Sequence, residues 1–178
     1  MSLREAIKAK HDAAEAHPFT ALLLSGGISA QKYGEFLYNM TVTYSALESR
    51  MRQLGTFDDT PEMFRAEIMA QDLEELDLDV VKIHQSTLKC LDRIEEVSDH
   101  DLMAYCYLYH MGDMYGGQMI KKNIPGSGKR FDFENRAALI AKIREHLTDD
   151  LADEANRAFG YTLELFDELV AQPDPFAA

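Results

Sequence analysis

The sequence predicts an all-α fold. Apolar residues recur three and four apart through nearly the whole chain, no stretch alternates in the manner of a half-buried strand, and the interruptions are helix-ending ones. The chain has 178 residues, 46% of them hydrophobic and 28% charged. That is enough for one domain with its own core. About eight helices are expected over residues 1–172, with 173–178 as a short tail.

The first helix is expected from about Leu3 to Ala16, where His17-Pro18 breaks it. A short helix follows from about Thr20 to Leu24, and Ser25-Gly26-Gly27 reads as a turn. Ser29 is the expected N-cap of a long helix that runs to Leu54 and stops at Gly55. Thr60-Pro61-Glu62 combines a cap with a first-turn proline and predicts a helix over 61–75. Further helices are expected over 80–97 and 99–122. Asn123 to Gly128 is a loop. Two closing helices are expected over 133–147 and 149–171, and Pro173-Asp174-Pro175 ends the ordered structure.

The net charge of −13 argues against nucleic-acid binding, which rests on phosphate neutralisation. No apolar run reaches the length of a membrane span, and the first residues lack the apolar core of a signal peptide. The two cysteines, Cys90 and Cys106, form no CxxC or CxxCH motif. A reduced, cytoplasmic setting is therefore expected.

Two stretches carry the chemistry. In the first helix, Arg4, Lys8, His11 and Glu15 project along one stripe beside the apolar Leu3, Ile7 and Ala14. A neutral imidazole at His11 can ligate a metal if its other nitrogen is held, and Glu15 is a candidate acceptor. His110 is its main rival as a ligand, and a lone histidine on an amphipathic helix is also readily a packed or surface residue. The second stretch is Gly112-Asp113-Met114-Tyr115-Gly116-Gly117-Gln118. Each interior glycine costs a helix roughly 1 kcal/mol relative to alanine, so three cost about 3 kcal/mol. A helix keeps them where its backbone must bend or lie against something flat and bulky. Asp113 falls on an otherwise mostly apolar stripe and needs a partner there.

With His11 on helix one and this glycine-rich helix downstream, the sequence resembles the haem oxygenases. Four segments carry the resemblance: Leu3 to His11 with Glu15; Tyr44-Ser45-Ala46-Leu47-Glu48; Gly112 to Lys122; and Glu154 to Phe159 continuing through Leu165 to Leu169. The resemblance implies binding of haem b, with O2 and an external electron donor. The expected reaction is cleavage to biliverdin, the IXα isomer, with release of Fe2+ and CO. His11 would be the proximal iron ligand with Glu15 near it. Gly112 and Gly116 would let the distal helix approach the haem face, with Gly117 beside them. Asp113 would organise a distal water network around bound O2, with Tyr44 as its partner. Arg4 and Lys8 would lie near the propionates, with Tyr107 and Arg144 as further candidates there. Phe159 and Phe166 would line the pocket.

The resemblance also implies a redox partner, a ferredoxin or another small electron donor, and a bilin reductase downstream. An acidic ferredoxin would need a local basic patch, expected from Lys121-Lys122, Lys129-Arg130 and the Arg4/Lys8 edge. The sequence departs from the family at Tyr115, where a small residue is common, and at Thr162, where an asparagine is frequent. A form without the C-terminal membrane anchor of the eukaryotic enzymes is expected. The expected form is the compact one of bacteria, photosynthetic organisms or their viruses, placed in the host cytoplasm if viral.

Three other readings compete. A di-iron bundle enzyme would carry Glu-x-x-His pairs. The residues three before each histidine are Lys8, Ala14, Val81, Val97, Tyr107 and Ile143, so that signature is absent. A vitamin-processing enzyme of similar architecture would need a catalytic cysteine or carboxylate set, and neither cysteine has an obvious base. A haem carrier or sensor would keep His11 but has no need of Asp113.

Overall fold

Long capped helices frame the chain, and the computed structural model describes residues 2–174 of it. Helix α1 spans Leu3–Glu15; Ser2 caps it reciprocally with Glu5. Helix α2 spans Pro18–Ser25. His17-Pro18 therefore starts this helix, with Pro18 in the first turn and His17 Nδ1 accepting from Phe19 N at 3.0 Å. Helix α3 spans Ala30–Leu54, capped by Ser29 and closed by Gly55 in the left-handed region at φ 70°.

The expected helix over 61–75 is divided. Pro61–Met63 forms a 3-10 turn, Phe64 is extended, and α4 spans Ala66–Glu74. The cause lies in α3: Glu48 accepts from Arg65 N at 2.6 Å and Ala66 N at 3.0 Å, fixing the start of α4 there. The helix expected over 80–97 also starts later, with α5 at Gln85–Glu96. The preceding segment is pinned along α3. Leu78 covers Gly34, where a Cβ would come within 2.4 Å of it. Asn39 donates to Lys82 O and accepts from His84 N.

Helix α6 (Leu102–Cys106), a π-helical stretch (Tyr107–Met111) and α7 (Gly112–Lys121) form one continuous run. The backbone irregularity thus lies just before the glycines. Helix α8 spans Arg136–Arg144. A 3-10 turn at Asp149–Leu151 leads into α9, Ala152–Val170. Counting the α6–π–α7 run as one, the described residues form eight helices and no strand. At the expected tail, Ser29 Oγ donates to Asp174 at 2.6 Å; residues 175–178 lie outside the described part.

Helix α9 lies along α1 and α5, and α3 along α4 and α5. Phe19, Leu37, Leu47, Met51, Phe57 and Leu169 are among the fully buried side chains of the core. Both cysteines are buried and free. No helix among the described residues is long and apolar enough to cross a membrane.

Candidate functional site

The glycines of α7 have different surroundings. Among the described residues, and apart from the helix's own backbone, a Cβ built at Gly112 or Gly116 meets nothing within 4 Å. At Gly117, about a third of a turn around the helix from that face, it would lie 2.3 Å from Phe131. The first two therefore expose bare backbone to open space, as a helix laid against a flat ligand requires. Gly117 packs against Phe131 and is the glycine of the three whose missing Cβ is filled by a neighbour.

Asp113, between the open glycines, is almost covered and doubly held. Tyr44 Oη donates to Asp113 Oδ2 at 2.6 Å. Arg130 Nη2 donates to Oδ1 at 3.1 Å and Oδ2 at 2.9 Å. Burial pushes the Tyr44 hydroxyl well above its ordinary range, and the Asp113 charge adds to this. Tyr44 thus stays a proton donor to the carboxylate. Its ring packs on His110 at 4.8 Å between centroids, and His110 Nε2 lies 3.1 Å from Glu48 Oε1. The rival histidine is therefore fully buried and engaged beneath Tyr44.

On α1, half the His11 side chain is exposed. Its Nε2 lies 3.8 Å from Glu15 Oε1 and its Nδ1 3.9 Å from Asp12 Oδ1. One potential ligand atom from each of these three exposed residues lies within 4.8 Å of the others. The ring meets Phe159 edge-on at 6.2 Å, which places α9 behind α1. Phe166 sits deeper, among Phe19, Phe36 and His17.

A third group forms a cationic edge. Tyr107, half-buried, feels the charges of Arg4 from α1 and Arg144 from α8, which oppose the upward push of burial on its hydroxyl. Arg144 Nη2 donates to Tyr115 Oη at 2.9 Å. Tyr115 is 55% exposed and therefore points away from the core. Arg4 and Arg144, two of the residues expected at one ligand edge, both lie within electrostatic range of Tyr107. Lys8 is drawn into an ion pair with Asp12 instead.

Comparison with known proteins identifies the arrangement. A protein-family model described as Heme oxygenase matches residues 1–168. The chain belongs to the haem oxygenase family. It is 28% identical to Heme oxygenase 2 of Rattus norvegicus over 94% of its length, spanning 64% of that relative. It is also 28% identical to Heme oxygenase 1 of Synechocystis, covering 94% of this chain and 82% of that one. Its fold matches the crystal structure of the Synechocystis heme oxygenase-1 in complex with heme, with TM-score 0.81, 24% identity, and coverage of 95% and 90%. It likewise matches the Leptospira interrogans heme oxygenase, with TM-score 0.79, 22% identity, and coverage of 94% and 100%.

Haem fits the residues present. The two glycine positions leave room for a flat ring, His11 offers an exposed imidazole, and the Arg4–Tyr107–Arg144 edge offers donors for carboxylates. The basic patch expected for a redox partner is only partly formed. Arg130 is 2% exposed and belongs to Asp113. Lys121 is bound to both oxygens of Asp132 at 2.6 Å, and Lys129 faces Glu75 at 3.5 Å. Lys122 remains exposed. Thr162 bonds back to Ala158 O within its own helix, at 3.5 Å.

Arg130 is the residue that sequence reasoning missed as part of the site. It lies 17 positions beyond Asp113, next to a lysine and after a Gly-Ser-Gly loop, the pattern of a solvated surface turn. The available signal was Asp113 itself, a carboxylate on an apolar stripe that called for a cation.

Proposed function

We propose that this chain is a haem oxygenase in activity. It binds haem b through His11 and uses O2 and electrons from an external donor to open the ring to biliverdin, Fe2+ and CO. The observation that carries the reading is the open face of α7, where Gly112 and Gly116 flank a carboxylate held by Tyr44 and Arg130. Haem, as substrate, supplies the iron chemistry and the ring carbon that is attacked. The chain's residues do the rest.

His11 offers an imidazole on an exposed face of α1, with Glu15 and Asp12 near its two nitrogens. Arg4 and Arg144 orient the ring by its propionates, with Tyr107 between them. That orientation decides which meso carbon faces the distal residues, and the family resemblance assigns the α carbon. Bare glycine backbone excludes a side chain from the distal face. Asp113, held by Tyr44 and Arg130, orders water at that face and relays a proton through it. Tyr44 holds the carboxylate in place as a donor.

A ferredoxin is the proposed electron donor, with Lys122 and the Arg4–Arg144 edge as its docking points. A bilin reductase is the proposed consumer of the product, and the cytoplasm the proposed compartment.

The test is an absorption time course of the haemin-loaded protein in air with ascorbate, catalase and an iron chelator. Loss of the Soret band with growth of a broad red bilin band is expected. A Soret band that persists after demonstrated reduction and O2 binding would favour a carrier or sensor instead.

A further inference from the structure

Asp113 is held by a residue whose own backbone is fixed from four directions. Gly128, at φ 60°, turns the chain into the 3-10 turn Lys129–Phe131. Asp72 of α4 accepts from Lys129 N at 3.1 Å and from Arg130 N at 2.8 Å. Arg65 donates to the carbonyls of Lys129, Arg130 and Asp132 at 2.8 to 3.0 Å. From α7, Gln118 Nε2 donates to Phe131 O at 2.8 Å, and Gly117 leaves the room that the Phe131 ring fills. The Gly117-Gln118 pair of the glycine motif is thus the seat of the turn that carries Arg130.

The guanidinium is an expensive choice for packing alone. It is 2% exposed, and among the described residues its Nε and Nη1 have no hydrogen-bond partner, nor does the neighbouring Tyr33 hydroxyl. A buried ion pair is often no more stable than apolar residues of similar volume, and two unpaired nitrogens add cost. What Arg130 does supply is one nitrogen, Nη2, shared between both oxygens of Asp113, a charge-assisted contact at 3.1 and 2.9 Å.

We propose that Arg130 is a positioning residue of the distal site, setting the orientation of Asp113 at the ligand face and placing a counter-charge beside it. This rests on the haem-oxygenating reading of the same site. Burial opposes the Arg130 charge, but Asp113, Tyr33 and Tyr44 outweigh it and hold the guanidinium above its ordinary value. Glu48 on α3 and Arg65 and Asp72 at α4 are the further charged groups around this corner.

The experiment compares wild type, Arg130→Lys, Arg130→Met and Arg130→Met/Asp113→Asn as haemin complexes. Four readouts are taken: melting temperature, haemin affinity, the acid–alkaline transition of the ferric spectrum, and bilin formation with ascorbate. For Arg130→Met, haemin affinity within about threefold of wild type is expected, because the cationic edge and His11 are untouched. The spectral transition should move by about one pH unit or more, because Asp113 loses its counter-charge. Bilin formation should slow about tenfold or more. Arg130→Lys should lie between the two, since an ammonium keeps the positive charge but not the planar guanidinium or its reach. A lower melting temperature with an unchanged transition and bilin rate would make Arg130 merely structural and overturn the proposal. If Arg130→Met does not fold, the lysine and double variants decide, and an unchanged transition in both overturns it equally. A wild type that forms no bilin, while Arg130→Met still moves the transition, would sink the haem-oxygenating reading and leave the positioning role intact.

Discussion

Gly117 and Phe131 occupy one space: a Cβ on the first would stand 2.3 Å from Cδ1 of the second. Gly112 and Gly116, one turn apart on the same helix, have no such neighbour. The three glycines of one motif therefore serve two purposes, and alanine substitutions separate them. Gly117→Ala should lower stability by about 1–3 kcal/mol through overpacking. Gly112→Ala and Gly116→Ala should each raise the stability of the ligand-free protein by up to about 1 kcal/mol while weakening haemin binding. Thermal melts with haemin titrations check this; equal haemin affinity in Gly116→Ala and wild type would remove the open face from the site.

Exposure of His11 makes its test clean. Half its side chain is solvent-accessible and its nearest carboxylates stand 3.8 and 3.9 Å away. Replacement by Ala should therefore change stability by no more than about 0.5 kcal/mol. The axial-ligand spectrum of the ferric complex and the turnover should both be lost. A persisting normal six-coordinate spectrum would mean that another residue is the ligand.

Acid sensitivity should report Glu154, which ties three elements together. Arg93 donates to its two oxygens at 3.0 and 2.7 Å, and Tyr105 Oη at 2.8 Å. Burial opposes the carboxylate charge, but these donors outweigh it and hold the group below its ordinary value of 4.5. A depressed folded value gives stability that is present above 4.5 and lost as pH falls through the folded value. Glu154→Gln should therefore be less stable at neutral pH and show a shallower loss below pH 4.5. Denaturant midpoints across that range check it, and curves parallel to wild type would assign the acid sensitivity elsewhere.

The basic surface reduces to few probes. Lys121 already holds Asp132, so reversing its charge perturbs the Arg130 turn as well as any docking. Lys122 is the cleaner site. Lys122→Glu should slow ferredoxin-driven turnover several-fold at low salt and leave ascorbate-driven turnover unchanged. Equal slowing of both would reject docking there.

Much of the fold was legible because local signals and packing agree. Ser29 and Gly55 mark both ends of α3, and the start of α1 follows the apolar stripe of Leu3 and Ile7. The misjudged segments are those where α3 overrides local pattern, through Glu48 at the start of α4 and Gly34 and Asn39 along 77–84. The π-helical stretch has no local signature, since Tyr107 to Met111 suits an α-helix equally well. In the site, the Tyr44–Asp113 contact joins two residues singled out by the resemblance. Arg130 stayed hidden because its burial depends on Asp72, Arg65 and Gln118, which lie on other elements.

The most direct measurement is the CO released per haem consumed by the wild-type haemin complex under aerobic turnover. The account requires one CO for each ring opened, with bilin formed in step. Bleaching of the haem without CO would show that the ring is destroyed non-specifically, and would contradict the assignment of this site to haem oxygenation.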